Sequence, residues 1–350
     1  MEKILIVGPS WVGDMVMTQS LFKVLKNNHA NTMIDVLAPD WSAPLLARMP
    51  EIHRILSLPF SHGETSFKQR YRLGKSLRAE KYDRAIVLPI SWKSAIVAWA
   101  ANIPLRTGLA TEMRYGLLND LRRLDAKKYP RMIDRLVALG LPKNALLPES
   151  FSLPVLQINE AHRSELLRRF QLILDKPILV LCPGAEFGAA KRWPAEYFAQ
   201  LAQEKIQQGW QVWLLGSPKD EVIARTILSV VPQHLLASLY SLIGKTQLVD
   251  AVDLLSLADV VVSNDSGLMH VAAALNRRVI GLYGATSPVY APPLNHQSEI
   301  IFLDLPCSPC RKRECPLQHH HCMRQIKVEK INQCISSIHH NDQVHPHLGS

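Results

Sequence analysis

Three short stretches hold residue types that could do chemistry at their spacing. In Val260-Val-Val-Ser-Asn-Asp-Ser-Gly-Leu-Met-His-Val-Ala-Ala-Ala-Leu275 a β-branched run breaks at Ser263–Gly267 and resumes as a helical pattern. A strand, a tight turn and a helix N-terminus in that order attract an anion such as phosphate, through free N–H groups and the positive dipole end. Asp265 and Ser266 are equally ordinary N-cap residues, so a plain capped helix fits too. His270, one turn on, could hydrogen-bond a phosphate or a ribose or simply sit in the core. The second stretch, Pro183-Gly-Ala-Glu-Phe-Gly-Ala-Ala-Lys-Arg-Trp-Pro194, follows an apolar strand and precedes a helix that Pro194 can start. Its small residues with Gly184, Lys191 and Arg192 suit a diphosphate. The third, Gly8-Pro-Ser-Trp-Val-Gly-Asp14, has the Gly-x4-Gly spacing of a P-loop but lacks the Lys-Ser/Thr that would hold phosphates and magnesium. Asp14 stands there instead, either capping the helix or presenting a carboxylate over the carboxyl edge of a sheet.

A fourth cluster is Cys307-x2-Cys310-x4-Cys315-x6-Cys322, with His319, His320 and His321 inside it. The spacing permits tetrahedral thiolate coordination without matching a standard finger. Free thiols or an isolated disulfide account for it equally well.

The elements that must position these residues alternate. Strands are expected at Lys3–Val7, Met33–Leu37, Arg54–Leu58, Arg84–Leu88 and Leu105–Leu109, with helices between them, the first over about Met15–Asn27. A Pro- and Leu-rich linker spans Pro142–Glu160. A second series follows, with strands at Pro177–Cys182, Gln211–Leu215, Leu239–Gly244, the Val260 run and Val279–Tyr283. Such alternation means an α/β chain of two Rossmann-like, doubly wound parallel sheets. Four strand-end loops (183–192, 216–220, 263–270 and 284–288) could then converge on one crevice, which argues for a nucleotide or nucleotide-sugar site.

The chain has 350 residues, is 47% hydrophobic and 20% charged, and carries a net charge of +10. This is a globular composition with room for two domains, and its basic balance points to an anionic partner. Basic residues crowd positions 68–128, with Phe67, Tyr71, Trp92, Trp99 and Tyr115 interleaved. That region is a solvated face, or it meets nucleic acid or anionic lipid; no nucleic-acid module accompanies the charge. The N-terminus runs straight into a strand, and Ala95–Ile103 is too short to span a bilayer, so the expectation is a cytoplasmic protein that meets a membrane only peripherally. The polar stretch His339–Ser350 is expected to fray.

Three motifs in order, Gly8-Pro-Ser-Trp-Val-Gly-Asp-Met-Val-Met17, Cys182–Pro194 and Ser263–Leu275, resemble those of the ADP-heptose:lipopolysaccharide heptosyltransferases, glycosyltransferase family 9. Glu112-Met-Arg-Tyr-Gly-Leu-Leu-Asn-Asp120 resembles the branch that adds the second heptose. The resemblance covers residues 1 to about 335. It implies a GT-B fold, two Rossmann-like domains facing each other across a cleft. Residues 1–158 would bind the acceptor and 159–328 the ADP-heptose. Residues 329–350 would form a helix packing on either domain, then a disordered tail. It implies inverting transfer of L-glycero-D-manno-heptose from ADP-heptose to the heptosylated Kdo2-lipid A core, at the cytoplasmic face of the inner membrane. No cofactor, catalytic metal or nucleic acid is implied. Asp14 matches the catalytic base and Lys191 the diphosphate lysine. Gly184, Arg192, Asp265, Ser266, Gly267 and His270 are the other donor-site candidates; Ser10, Gly13 and Arg114 are those for the acceptor. Action at the first or third heptose, or sugar-nucleotide or anionic-lipid binding without catalysis, are the alternatives.

Overall fold

Apolar, β-branched runs such as Ile4-Leu-Ile-Val7 and Val260-Val-Val262 are covered on both faces, as strands inside a wound parallel sheet must be. The computed structural model describes residues 1–60 and 64–344, with side chains to residue 336. The chain divides into two compact units, Met1–Gln157 and the part from Ile158 onward.

The first unit holds strands β1 (Lys3–Val7), β2 (Met33–Ala38), β3 (Arg54–Ser57), β4 (Arg84–Val87), β5 (Leu105–Leu109) and β6 (Asp120–Arg122). Its helices are α1 (Val12–Asn28), α2 (Ala43–Leu46), α3 (Phe67–Ser76), α4 (Ile96–Ala100) and α5 (Met132–Gly140). The strand order is β3-β2-β1-β4-β5-β6, parallel throughout. The second unit holds β7 (Ile178–Cys182), β8 (Gln211–Leu214), β9 (Leu239–Ser241), β10 (Val260–Asn264), β11 (Arg278–Tyr283) and β12 (Ser298–Phe302). Its helices are α6 (Glu160–Arg169), α7 (Ala195–Gln207), α8 (Glu221–Val230), α9 (Leu248–Leu255), α10 (Gly267–Ala274), α11 (His321–Arg324) and α12 (Val328–Val344). Its sheet, β12-β11-β10-β7-β8-β9, is also parallel and repeats the topology of the first. In each unit the winding reverses beside the first strand, between β1 and β4 and between β7 and β10. Open α/β sheets bind ligands outside the strand ends at that reversal.

The structure departs from the sequence pattern at particular places. Helix α1 starts at Val12 rather than near Met15, which puts Asp14 inside its first turn, where the helix dipole favours an acid. Strand β6 is not visible as an apolar run because two of its three residues are charged. They are buried and satisfied: Asp120 accepts from Thr107 Oγ1 at 2.9 Å and from Arg122 at 2.7 and 2.8 Å. Helix α5 and strand β12 were likewise unmarked. The linker runs against α1, whose Gln19, Ser20 and Lys23 side chains donate to the carbonyls of Val155, Ser152 and Leu153, each at 2.8 Å. That strapping explains why a helix carries polar residues on a buried face. The C-terminal helix, for which the sequence left either domain open, belongs to the second unit: Ile331, Cys334 and Ile335 of α12 join its core beside α7. Of the stretch expected to fray, His339–Val344 continues α12, and 345–350 lie outside the described residues.

Candidate active site

At the reversal point of the second sheet, β10 ends in Asn264 and α10 begins at Gly267, with Asp265 and Ser266 in the turn. Asn264 is fully buried and joins two loops. Its Nδ2 donates to the Pro183 carbonyl at 2.7 Å, and its Oδ1 accepts from the Trp193 N–H at 3.0 Å. The glycine-bearing loop after β7 is thereby tied to the turn after β10. Lys191, from the first loop, reaches Asp265 in the second with Nζ 2.6 Å from Oδ2; the two side chains are only 13% and 9% exposed. Thr286, in the loop after β11, donates to the same Oδ2 at 2.5 Å. Three strand-end loops therefore meet on one carboxylate.

The loop after β8 joins them differently. The Asp220 carboxylate, which accepts from the Ser217 N–H and hydroxyl, lies directly against Gly184. A Cβ on Gly184 would sit 2.4 Å from Asp220 Oδ2, so any side chain there would force the Asp220 carboxylate out of its place. Lys219 pairs with Glu186 at 2.5 Å and closes the same junction from outside. All four loops marked in the sequence are thus in contact, three at Asp265 and the fourth at Gly184.

Two features make this corner receptive to an anion. The N-cap Ser266 makes no side-chain bond to the first turn of α10; its hydroxyl turns to Ser263 Oγ at 3.0 Å. The helix N–H groups are left uncapped, a ready anion site. His270 is 5% exposed and its Nδ1 has no hydrogen-bond partner. Burial pushes its pKa down to about 4, against the raising effect of Asp265, so the ring is neutral at pH 7. A buried imidazole with an orphan nitrogen beside an ion pair suits a polar ligand atom.

Residues outside the expected set complete the site. Phe187 lies under the Lys191 ammonium at 4.9 Å and under the Arg313 guanidinium at 5.7 Å. Arg313 comes from the cysteine-rich segment, and its carbonyl accepts from the Ala190 N–H at 3.0 Å. The same segment grips the loop after β11: the Arg311 N–H donates to the Ala285 carbonyl at 2.7 Å, and Ser308 Oγ to that of Gly284 at 2.5 Å. The segment therefore braces two of the loops that meet at Asp265. Its four cysteines are free. Burial raises the Cys322 thiol, and the neighbouring Cys307, Cys310 and Cys315 add to the rise. Among the described residues no three His, Cys, Asp or Glu side chains converge as metal ligands, and Cys307, Cys310, Cys315 and Cys322 form no disulfide. Backbone bonds tie this loop to its neighbours. Asn264, Phe187, Asp220 and Thr286 all lie in the four loops that the sequence marks, though their types do not single them out, and Arg313 lies outside those loops.

In the first unit, Asp14 and Gly13 are half-buried in the first turn of α1, directly after β1, and Ser10 is exposed before it. These three lie at the corresponding reversal point of the first sheet. The Asp14 carbonyl is fixed by Thr18 Oγ1 at 2.7 Å. Arg114 has a different place from the one expected. It is 1% exposed, and its guanidinium donates to the Pro89 carbonyl at 2.7 Å and to that of Leu109. Burial lowers its pKa to about 10. Glu112 meanwhile accepts from the Trp92 N–H at 2.9 Å. Arg114 is thus an anchor that staples the loops after β4 and β5, not a group positioned to touch an acceptor. Its neighbours Met113 and Tyr115 are exposed, as are Glu112 and Asn119 of the same motif.

Two doubly wound sheets of this kind, with a carboxylate at one reversal point and a lysine-bearing anion corner at the other, define a GT-B glycosyltransferase. The model of glycosyltransferase family 9 (heptosyltransferase) matches residues 70–321. Lipopolysaccharide heptosyltransferase 2 of Salmonella typhimurium is 45% identical, the match covering 96% of this chain and 98% of that protein. Lipooligosaccharide heptosyltransferase 2 of Haemophilus influenzae is 50% identical over 86% of this chain and 88% of its own length. The solved structure of E. coli ADP-heptose lps heptosyltransferase II superposes with a TM-score of 0.88 at 41% identity, covering 98% of this chain and all of that one. The chain belongs to glycosyltransferase family 9, the heptosyltransferases.

Proposed function

We propose that this chain transfers L-glycero-D-manno-heptose from ADP-heptose to the first heptose of the Kdo2-lipid A core, with inversion. The second unit binds the donor and the first the acceptor. The observation that carries this reading is the convergence of three loops on the Lys191–Asp265 pair beside the uncapped end of α10. The identity to heptosyltransferase 2 proteins supports the choice of donor and of core position.

In the step proposed, the acceptor hydroxyl oxygen forms a bond to the anomeric carbon while the bond from that carbon to the phosphate oxygen breaks. The hydroxyl proton passes to the Asp14 carboxylate, and the electron pair leaves with ADP. Lys191 and the N–H groups at the start of α10 stabilise the charge gained by ADP, which supplies without a divalent ion what such an ion often supplies. Asp265 is repulsive toward a diphosphate taken alone. Its bonds to Lys191 and Thr286 make it the group that aims the lysine, and neutral His270 offers a nitrogen to a donor hydroxyl or phosphate oxygen. Among the described residues no helix is long and apolar enough to cross a membrane. The acceptor is lipid-linked and the chain carries +10, so we place the reaction at the cytoplasmic face of the inner membrane, with the protein held there peripherally.

The test is mass spectrometry of the acceptor. Protein, ADP-heptose and EDTA are incubated with Kdo2-lipid A that is bare or carries one heptose. One added heptose on the heptosylated acceptor alone is expected. Addition to the bare acceptor would reassign the chain to the first heptose, and a strict need for added magnesium would remove the metal-free mechanism.

A further inference from the structure

Helix α3 is built backwards for a helix that only covers a sheet. Its inner side is small and tight: a Cβ on Gly74 would lie 2.5 Å from Ala100 Cβ, so α3 and α4 touch backbone to backbone, with Leu73 and Leu77 on the core of that sheet face. Arg70 is also used inward, its guanidinium donating to the carbonyls of Thr65 and Glu64. The large aromatic residues stay outside. Phe67 is 47% exposed and stacks on Tyr71 one turn later, with centroids 6.4 Å apart and planes within 7°. Tyr71 in turn meets Trp99 of α4 at 5.9 Å, and Trp99 is 39% exposed. This makes a continuous aromatic row across two locked helices, exposed at Phe67 and Trp99 and half-buried at Tyr71.

Charge accompanies the row. Lys68, Arg72 and Lys75 are exposed on α3, Lys75 lies over the Tyr71 ring at 5.2 Å, and residues 67–76 contain no acid. Exposed aromatic rings interleaved with cations match the region of a bilayer where amphipathic rings sit among headgroups and cations meet anionic phosphates. We infer that the α3–α4 plate, through Phe67, Tyr71 and Trp99 flanked by Lys68, Arg72 and Lys75, is the surface by which this protein docks on an anionic phospholipid membrane. This deepens the peripheral membrane reading given above and rests on it. Neither helix contributes a residue to the proposed chemistry.

The experiment is flotation of the full chain with vesicles of phosphatidylethanolamine and phosphatidylglycerol, against vesicles of phosphatidylcholine. Wild type should bind the anionic vesicles and lose binding as salt rises, because exposed charges are screened. The triple variant Lys68→Glu/Arg72→Glu/Lys75→Glu leaves the packing of α3 on α4 untouched. It should lower the vesicle partition by more than roughly 100-fold, which is the loss of three surface cations before the repulsion of the introduced acids is added. Phe67→Ser/Trp99→Ser, checked for an unchanged melting temperature, should lower it as well. All variants should keep wild-type turnover on a deacylated, water-soluble acceptor. Anionic-vesicle binding by wild type that both variants retain would overturn this surface and leave the membrane reading standing. No binding by wild type to either vesicle would overturn both, as would retention of an oligonucleotide in place of vesicles. Loss of turnover on the deacylated acceptor with vesicle binding intact would make the row an acceptor site and sink the inference.

Discussion

The two sheets share one strand order, and their reversal points are opposite in character. After β1 the chain enters α1 at once and places an acid, Asp14, in the first turn. After β7 it makes a long loop that ends in Lys191 and Arg192, and Lys191 reaches the turn before α10, whose end, like that of α1, carries no side-chain cap. The backbone plan supplies the same kind of place twice, and a few loop residues decide whether that place accepts a proton or holds an anion. The second corner also carries its own counter-charge, since Asp265 Oδ2 lies 2.6 Å from Lys191 Nζ.

Substitutions should separate these two characters. The largest effect is expected for Asp14→Asn, which keeps the shape and removes the base; kcat should fall about 1000-fold, within the range for loss of a general base. Full turnover in steady-state assays would take Asp14 out of the mechanism. Lys191→Met comes next, with a loss of roughly 100-fold in kcat/KM for ADP-heptose, read from initial rates across donor concentrations. A loss confined to the acceptor KM would contradict the assignment. Asp265→Asn keeps a hydrogen-bonding partner for Thr286 but not a charge for Lys191, so a smaller loss of about tenfold is expected, shared between kcat and donor KM. An Asp265→Asn enzyme with unchanged constants would show that aiming Lys191 needs no carboxylate.

The smallest effect concerns stability. The buried His270 ring has its pKa depressed to about 4, below the ordinary value near 6.5, so the unfolded chain takes up a proton that the folded chain refuses. Stability from this group is complete above pH 6.5 and is lost as the pH falls toward 4, by roughly 3 kcal/mol in all. Denaturant unfolding from pH 7 to pH 4 should therefore be steeper in wild type than in His270→Asn; parallel curves would mean that the ring titrates normally.

Much of this was legible in the linear order, and the rest was hidden for definite reasons. Strands β1, β7 and β10 announce themselves because both faces are covered and every position can be apolar. Strand β6 does not, since its Asp120 and Arg122 are buried by pairing with each other. Asp14, Lys191 and Asp265 could be singled out by type and by the strand–helix junctions around them. The Lys191–Asp265 bond spans 74 positions and depends on β7 and β10 being neighbours, which local pattern does not encode. Without that bond, an acid beside a diphosphate loop is electrostatically unfavourable. Arg114 was misplaced for a similar reason: its partners Pro89 and Leu109 are carbonyls, which leave no trace in residue type. The cysteine spacing drew the eye to the side chains of this segment, and its backbone bonds to Ala190 and Ala285 are likewise not encoded by residue type.

The central claim is the division between a proton-accepting corner and a donor-holding corner. Calorimetric titration of ADP into Asp14→Asn and Lys191→Met, side by side with wild type, tests it most directly. The account expects Asp14→Asn to bind ADP within about twofold of wild type and Lys191→Met to bind at least about tenfold more weakly. Equal weakening in both variants, or wild-type affinity in Lys191→Met, would contradict it.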